Sequence, residues 1–459
     1  MKSTLVLGVD VSKGYGDFVL LDTYKKVVET SFRLDDNKEG HDTLKNKLLC
    51  WKKEHSVARL LLVTESTGGY EDNWLRVAKD KALCSFVESY RINAKIIFHE
   101  YEAQRRNSID DGVSALTIAE HVVKNLENFK GTNSFHETAY TSARSLIRHY
   151  ASLQQECSSH KNGLLKLIYQ YLPSLEAIKP SEWPSYWLEI FVRYGSRKSI
   201  QIAASKGFKQ LKRVPKGKAK EIAEALANGI DVRHTPEMVV FAIRSKARQI
   251  KRLNQEIKEV KKMIVDVAPV DAHQVSLLKS IKGMGEITPI ILLSFIEEVS
   301  RFIDAKHMAS FFGVQPRVKR SGDGSYKTKM SKQGAGLVRR ELYLLAFRTL
   351  NKEPYLKAIY AKARAKGMAH DAALGVLMHK ILRIIYGMLI SNTPFNAGID
   401  QLNQHQTAVE SKPRKKKKNT ARRFQPVSKV APVSFRQRRK RKRDHELQAD
   451  GISENTESS

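Results

Sequence analysis

The first 65 residues constrain the fold more than any other part of the chain. Three short runs rich in β-forming residues follow one another at 5–10, 16–22 and 26–34, and a helical pattern at 38–54 leads to an unbroken apolar run at 58–65. Consecutive short runs predict an antiparallel meander. An unbroken apolar run predicts a strand buried on both faces. The sequence therefore predicts an α/β domain at the N-terminus.

A heptad pattern dominates the predominantly helical middle of the chain. Between about residues 236 and 268, one seam repeats every seven residues and a second seam is also apolar (Ile243, Ile250, Ile257, Ile264; Leu253, Val260). This spacing predicts one long helix. A coiled-coil contact between two copies is favoured over packing inside the monomer, because the other faces of the helix are densely charged. A third part, about 271–395, is again mostly helical.

The excess of positive charge indicates a polyanionic partner. The chain has 80 Lys and Arg against 48 Asp and Glu, a formal net charge of +32. Nucleic acid is the leading candidate, and a membrane surface is the rival. Residues 412–443 hold sixteen cations and no acid, a composition that cannot bury enough surface to fold alone. We expect a disordered basic tail that grips phosphates; a solubilising tail is the alternative.

Other features favour a cytoplasmic protein without membrane association. The longest nearly unbroken apolar run, 287–296, is far shorter than the ~20 residues of a bilayer span. The charged Asp10 follows the first apolar residues too early for a signal peptide. The three cysteines, Cys50, Cys84 and Cys157, are far apart and form no CxxC pair, which favours a reducing compartment and no structural zinc.

Acidic residues stand where the predicted strands end. Asp10 ends the first strand, Glu65 ends the fourth, and Asp110-Asp111 opens a helical segment. If the two strands are neighbours, these carboxylates gather near the centre of one sheet, as in a ribonuclease-H-like nuclease. Hard cations prefer oxygen ligands, and two ions can clamp the oxygens of a phosphodiester. The set predicts a Mg²⁺ site, with Lys13 beside it to neutralise phosphate; each acid alone would be an ordinary turn residue.

A glycine-rich loop surrounds one serine, Ser321, with positive charge. The surrounding cations are Arg317, Lys319, Arg320, Lys327, Lys329 and Lys332. Such a shell can stabilise a serine alkoxide and a pentavalent phosphorane, so Ser321 is a candidate nucleophile. From composition alone, a turn residue in a DNA-contacting loop is the favoured interpretation. A second glycine-rich turn, 281–287, either exposes backbone N–H groups to a phosphate or simply joins two packed helices.

In their order along the chain, these motifs resemble the DEDD-type transposases of bacterial insertion sequences, the "one-ten" family. The matching segments are Gly8-Val9-Asp10-Val11-Ser12-Lys13, 64–70, 281–285, 301–316, Arg320-Ser321-Gly322, 331–343 and 372–382. The resemblance covers about residues 1–395 and is weakest between 130 and 270. The ordered set is specific, whereas each motif alone is not.

The resemblance implies a four-residue metal site. Asp10 and Glu65 take the first two acidic positions, and Asp111 takes the third. The fourth falls on Ser114, which supplies a hydroxyl but no charge. Asp110 and Glu120 are the alternative sources of the missing acid.

The resemblance also implies that Ser321 is the nucleophile, which reverses the interpretation from composition. Arg339 and Arg340, in a matching helix, join the nucleic-acid-binding set with the loop cations and Lys13.

The function implied is an RNA-guided DNA recombinase of a mobile element. A structured bridge RNA would pair with donor and target DNA, while the protein holds the nucleic acids mainly by their backbones. Ser321 would form a phosphoserine link that a 3′-hydroxyl later reverses. Because Asp10 and Ser321 fall in different predicted domains, the site is expected to be composite, in a homo-oligomer such as a dimer or tetramer.

Two other functions stay open at this point. A metal-dependent, structure-selective nuclease similar to Holliday-junction resolvases would use Asp10, Glu65 and Asp111 with water as the nucleophile. A catalytically impaired nucleic-acid-binding protein would account for Ser114.

The predicted architecture has four parts. They are an RNase H/RuvC-like α/β domain at 1–150, a helical coiled-coil region at 151–270, a mostly helical C-terminal transposase domain at 271–395 and a disordered basic tail at 396–459. We expect the whole to be a bacterial, cytoplasmic, nucleoid-associated protein.

Overall fold

The computed structural model divides into two compact units. Unit 1 is Met1–Glu137 and unit 2 is Thr138–Ser459. The structure describes residues 3–66, 68–104, 111–129, 139–232, 234–317, 320–321, 324–325, 329–402, 438–439 and 442. The finer division into four parts stays a prediction. Asp110, Lys319, Lys327 and nearly all of the predicted basic tail lie outside the described residues, and for Asp111, Arg320 and Ser321 only the backbone is described.

Unit 1 is built on one five-stranded sheet. Its strands are β1 (Ser3–Ser12), β2 (Tyr15–Asp22), β3 (Val27–Asp35), β4 (Val57–Glu65) and β5 (Val87–Ile92). The strand order is β3-β2-β1-β4-β5. The first three strands form the antiparallel meander that the sequence predicts, and β4 and β5 run parallel to β1. The prediction of an α/β domain is therefore confirmed.

Helices cover both faces of this sheet. They are α1 (Lys38–Glu54), α2 (Glu71–Val77), α3 (Ala94–Gln104) and α4 (Asp111–Lys124). Side chains alternate along a strand, so Leu5, Leu7 and Val9 of β1 pack in a core that includes residues of α1 and α2. Val6 packs in a second core that includes residues of α3 and α4. The run at 58–65, which predicts a strand buried on both faces, forms β4, whose residues Leu60 and Leu62 pack in one core and Leu61 and Val63 in the other.

Gly8 lets α4 lie directly on β1. A Cβ atom at this position would be 2.2 Å from the carbonyl oxygen of Ala115 and 2.7 Å from the backbone nitrogen of Ala119. Both alanines are fully buried, and a larger residue at Gly8 would force helix and strand apart. The glycine therefore sets the depth at which α4 sits, two residues before Asp10.

Unit 2 is helical apart from short β-ladders. Its helices are α5 (Ala139–Tyr171), α6 (Pro173–Ala177), α7 (Ser185–Arg193), α8 (Arg197–Ser205), α9 (Lys218–Asn228), α10 (Glu237–Val267), α11 (Ala272–Lys279), α12 (Thr288–Ile296), α13 (Ala305–Phe311), α14 (Gly336–Thr349), α15 (Pro354–Ala365) and α16 (His370–Ser391). Its strands are β6 (Pro316–Arg317), β7 (Arg320–Ser321), β8 (Gly324–Ser325) and β9 (Lys329–Met330).

The heptad seam of α10 is covered by the same chain. Its residues Ile243, Ile250 and Leu253 are buried in a core that also contains Leu164 and Ile168 of α5. The preference for a contact between copies is therefore wrong for this seam, since α5 already supplies the long partner helix. The heptad pattern did predict the long helix.

One described helix, α16, is long and apolar enough to cross a bilayer, with a mean hydropathy of 1.6 over its most apolar window. The prediction from unbroken runs overlooked it, because His379, Lys380 and Arg383 interrupt the apolar sequence. Half of that window is buried, and Leu377 and Ile381 are at 0% exposure within the core of unit 2. This packing is that of a core helix.

Candidate active-site residues

Asp10, two residues before the end of β1, and Glu65, the last residue of β4, come together on neighbouring parallel strands. In the β1–β4 pairing Val9 lies opposite Thr64, and each acid is the next residue along its strand. Alternation places both on the face of Val6 and Leu61, which is the face that α3 and α4 cover. Both side chains are half-buried. The neighbourhood of strands one and four, on which the predicted acidic site depended, is thus observed.

The two acids are electrostatically coupled. The pKa of Glu65 is raised above its ordinary value, first by burial and then by the negative charge of Asp10. Burial disfavours a charged carboxylate, and a nearby like charge does the same. A divalent cation at this point would relieve both effects, because it brings two positive charges to a pair of oxygen donors.

Tyr101 of α3 completes this cluster and was not predicted from the sequence. Its phenol lies near the hydroxyls of Ser114 and Thr117, and its pKa is raised, chiefly by burial and also by the charges of Asp10 and Glu65. Ser114, the predicted fourth metal position, therefore lies beside a phenol whose pKa is raised by the charges of both carboxylates. Nothing in the sequence around Tyr101 marks it, since only the packing of α3 on α4 brings it here.

The other predicted acids differ in position. Asp111 is the first residue of α4, three residues before Ser114, and that spacing puts the two on the same face of the helix. Glu120 lies six residues after Ser114, about 9 Å along the helix axis, and accepts a hydrogen bond from Gln104 Nε2 at 3.1 Å. Glu120 is therefore engaged by α3, and its role as the alternative fourth acid stays a prediction.

The donor atoms of this cluster fit a hard divalent cation, since all are oxygens. Within the described residues, no group of three His, Cys, Asp or Glu side chains is close enough to hold a metal. Asp10 and Glu65 supply two carboxylates, and the Ser114 hydroxyl supplies a neutral oxygen. Asp111, the predicted third ligand, and Asp110, an alternative, lie outside the described side chains.

In unit 2, Ser321 lies in a narrow hairpin. The β6–β9 ladder pairs Pro316 with Met330, and the β7–β8 ladder above it pairs Ser321 with Gly324. The serine thus belongs to the ladder nearer the turn of the hairpin, and the β6–β9 ladder belongs to its base.

The base of this hairpin is held by close backbone packing. Gly313 and Gly334 have φ values of +68° and +109°, and Cβ atoms there would lie within 2.0 Å of the carbonyl oxygens of Gln333 and Phe311. Only glycine tolerates both the conformation and the approach. Arg339 adds hydrogen bonds from Nη1 to the carbonyl oxygen of Gly334 at 2.8 Å and to that of Phe312 at 3.1 Å.

Arg339 and Arg340 were predicted to bind nucleic acid, and the structure gives both another partner. Arg339 joins the two sides of the hairpin base, and burial lowers its pKa. Arg340 donates to the Gln154 side chain of α5 and lies 3.9 Å from Glu341. Their roles toward nucleic acid stay predictions, whereas their structural roles are visible.

The other predicted nucleic-acid-binding residues whose side chains the structure describes are exposed to solvent. Arg317 and Lys329 are exposed and lie directly opposite each other across the β6–β9 ladder. Lys332, three residues after Lys329, is also exposed. In unit 1, Lys13 is exposed in the turn between β1 and β2. Like charges in direct opposition destabilise a ladder, so this arrangement suits a site that meets phosphate.

The glycine-rich turn at 281–287 joins α11 and α12, two helices of one core. At the start of α12, Arg348 Nη2 donates to Thr288 Oγ1 at 3.1 Å, and this hydroxyl donates to Glu341 at 3.2 Å. All nine residues of α12 are buried. The structure therefore favours a tight turn between packed helices over a phosphate site.

Comparison with known proteins matches the chain to two family models. One, described as "Transposase" and belonging to the DEDD type of IS110, matches residues 7–173. The other, described as "Transposase IS116/IS110/IS902 family", matches residues 275–361. Together they cover more than half of the chain, including the acidic cluster and the serine hairpin.

Individual relatives agree with this match. An "Insertion element IS110 uncharacterized 43.6 kDa protein" of Streptomyces coelicolor is 25% identical over 331 residues, 70% of this chain and 79% of that protein. A "Pilin gene-inverting protein" of Moraxella bovis is 29% identical over 140 residues, 30% of this chain and 44% of that protein. Its counterpart in Moraxella lacunata gives the same figures.

Among solved structures, the Thermus thermophilus RuvC bound to a Holliday junction substrate aligns with 29% of this chain and 99% of its own, at 11% identity and a TM-score of 0.22. The sequence matches cover both units. The chain belongs to the IS110 family of insertion-element transposases and is an enzyme of the DNA transposase and recombinase class.

Proposed function

We propose that this transposase exchanges DNA strands through a phosphoserine intermediate on Ser321, assisted by a divalent cation at Asp10 and Glu65 and guided by a structured RNA of the element. The observation that carries the proposal is the serine near the end of a hairpin with a fixed base and opposed cations. Such a hairpin presents a hydroxyl to a phosphate without requiring the helices to move.

The bond changes in this scheme balance. Ser321 Oγ attacks the phosphorus of a phosphodiester, the bond from phosphorus to the 3′ oxygen breaks, and the 3′-hydroxyl leaves with a proton. The incoming 3′-hydroxyl of the exchanged strand reverses the same step, so no nucleotide cofactor is consumed. Arg317 and Lys329 neutralise the phosphate and its added charge.

Asp10 and Glu65 would hold the metal, with Mg²⁺ the preferred ion because the donors are hard oxygens. When bound, this ion supplies charge neutralisation at a phosphate oxygen. The Tyr101 phenol and the Ser114 hydroxyl supply uncharged oxygen atoms beside these two carboxylates. We propose that both units act in one reaction, in a homo-oligomer.

Guidance by RNA is compatible with the exposed cations. Lys and Arg can hold phosphates irrespective of sequence, and in this proposal sequence choice is left to base pairing between the RNA and donor and target DNA. The formal charge of +32 suits a chain that holds RNA and DNA together inside the cell.

The direct test is a covalent protein–DNA species on denaturing gels, formed by the whole chain with its RNA and DNA substrates. Ser321→Ala abolishes this species and strand exchange and leaves RNA binding intact. Ser325→Ala is the matched control, because Ser325 lies in the partner strand of the same ladder and its loss leaves the adduct in place. An adduct on Ser321→Ala would refute the assignment.

A metal-dependent nuclease is the second candidate, favoured by the coupling of Asp10 and Glu65. Hydrolysis by water would give cleaved DNA with no covalent protein adduct. Cleavage that persists in Ser321→Ala and disappears in Asp10→Asn would establish it.

A further inference from the structure

The outer face of α15 is a basic surface that the proposed mechanism does not use. Between residues 352 and 366 the chain has five Lys or Arg and a single acid, Glu353. Glu353 is buried, at 9% exposure. The cations are all exposed. This helix therefore presents positive charge to solvent with no negative charge of its own beside it.

The charges of α15 form two flanks. At about 100° per residue, Lys357 and Arg364 fall on one side of the exposed face, and Lys362 and Lys366 fall on the other. Three exposed alanines, Ala358, Ala361 and Ala365, lie between the flanks. The opposite side is anchored, because Leu356 and Ala363 are buried.

Two exposed lysines elsewhere in unit 2 do have acidic partners. Lys220 of α9 lies 3.7 Å from Glu224, and Lys251 of α10 lies 2.7 Å from Glu189. Within the described part of the chain, no ion pair joins Lys357, Lys362, Arg364 or Lys366 to an acid. Arg364 donates instead to the carbonyl oxygen of Met368 at 2.6 Å.

We propose that α15 lies in the major groove of duplex DNA and contacts the phosphates on both sides of the groove. The major groove of B-form DNA is about 12 Å wide, and an α-helix with its side chains is about 10–12 Å across. Flanks of cations then meet the two phosphate strands, while the alanines let the helix approach closely. An A-form RNA duplex has a deep, narrow major groove that excludes this fit.

The surface holds DNA without reading its sequence. Alanine has no hydrogen-bonding group for a base edge, and the flanking cations reach phosphates. The inference rests on the DNA partner of the proposed function, but not on the serine chemistry. It names a second place, apart from the serine hairpin, where the chain grips its DNA.

The test measures binding of the full chain to a fluorescent B-form DNA duplex between about 50 and 200 mM salt. Replacing Lys357, Lys362, Arg364 and Lys366 by Gln reduces the slope of log K against log salt by about 3 to 4, because each phosphate contact in B-DNA contributes about 0.9. The affinity gap from the unchanged protein then widens about 100-fold from the highest to the lowest salt. The basic tail is present in both proteins and cancels from the difference.

A second variant guards against loss of folding. Ala361→Glu places one negative charge between the flanks on an exposed position, and it weakens DNA binding at least about 10-fold relative to Ala361→Gln, which has the same shape. Circular dichroism establishes that both fold. Lys220→Gln with Lys251→Gln is the control for charge removal, since these lysines already have acidic neighbours, and it changes the slope by less than about 1.

The outcomes separate the alternatives. An unchanged slope in the four-residue variant, or an equal loss per charge in the lysine control, overturns the inference. A greater loss of binding to an RNA duplex than to DNA also overturns it. Since the assay contains no strand exchange, failure here leaves the phosphoserine proposal standing, and failure of the adduct test leaves this surface standing.

Discussion

Arg317 and Lys329 lie directly opposite each other in the ladder at the base of the serine hairpin, both exposed to solvent. Two positive charges in this relation repel each other in the free protein and attract a phosphate placed between them. The pair of cations therefore lowers the stability of the free protein and favours the binding of DNA.

Lys329→Glu is expected to change stability and DNA binding in opposite directions. The new carboxylate faces Arg317, so the free energy of unfolding rises by about 0.2–1 kcal/mol, while DNA binding weakens. Thermal unfolding and a DNA titration measure the two effects, and Lys329→Gln, which removes charge without adding a pair, falls between. A variant that gains both stability and affinity contradicts a phosphate role for the pair.

Removing Asp10 removes the stabilisation by metal. Millimolar Mg²⁺ raises the Tm of the unchanged chain, because a ligand that binds the folded state shifts unfolding, and Asp10→Asn abolishes that rise. The control is Asp22→Asn, at the other end of the sheet, where Oδ1 accepts backbone hydrogen bonds that an amide oxygen can also accept. An equal Mg²⁺ shift in Asp10→Asn would exclude a metal at this cluster.

Ser114→Asp adds the missing charge. A carboxylate there lies beside Tyr101, whose phenol can donate to it, and close to Asp10 and Glu65. Three acids repel one another without metal, so the metal-free variant has a lower Tm, and Mg²⁺ raises that Tm more than it does in the unchanged chain. Ser114→Asn supplies the shape without the charge and shows no added response. Strand exchange that appears only in Ser114→Asp would show that the natural chain is impaired.

Gly8→Ala drives α4 away from β1. The added methyl would lie 2.2 Å from the carbonyl oxygen of Ala115, and overpacking of this kind costs about 1–3 kcal/mol of unfolding free energy. Gly387→Ala is the control, because Gly387 lies inside α16 with nothing near its Cβ position, and alanine there is expected to stabilise by up to about 1 kcal/mol. Chemical denaturation of both variants gives the comparison.

His379 makes stability depend on pH. Burial lowers its pKa below the ordinary 6.5, and the positive charges of Arg383 and Lys380 lower it further. Between the lowered pKa and 6.5, the unfolded chain therefore binds more protons at this residue than the folded chain does. The contribution of neutral His379 to the free energy of unfolding is complete above pH 6.5 and is lost as the pH falls through that window. His379→Gln flattens the decline of Tm on acidification, whereas the exposed His273→Gln does not.

The sequence predicted the part of the site that depends on local pattern. The apolar run ending in Glu65 locates the end of β4, whereas β1 continues two residues past the predicted end at Asp10. Parallel pairing of the two strands brings Asp10 and Glu65 together. Tyr101 could not be predicted in this way, because its position depends on how α3 packs on α4. The partner of the α10 heptad was misjudged for a related reason: an apolar seam shows that a long helix is needed and does not show which chain provides it.

The roles of cations were the least predictable. Arg339 and Lys329 look alike in the sequence, but Arg339 donates to backbone carbonyls at the hairpin base and Lys329 faces solvent. A cationic side chain can bind either a phosphate or an acceptor of its own chain. Only the folded structure shows whether backbone carbonyl oxygens already accept its hydrogen bonds, as they do for Arg339. The sequence predicts no role for Lys357 and Arg364, because no motif surrounds them.

The helices α5 and α10 run through two separate cores of unit 2. Along α10, Leu253 is buried in one core and Ile264 in the other. One inserted residue between them would rotate the far half of the helix by about 100° and turn its side chains away from their core. Only insertions close to a whole number of turns, such as seven or eleven residues, keep both faces aligned. Relatives that diverge in length are therefore expected to do so in the loops, and this pair of helices to keep its length through evolution.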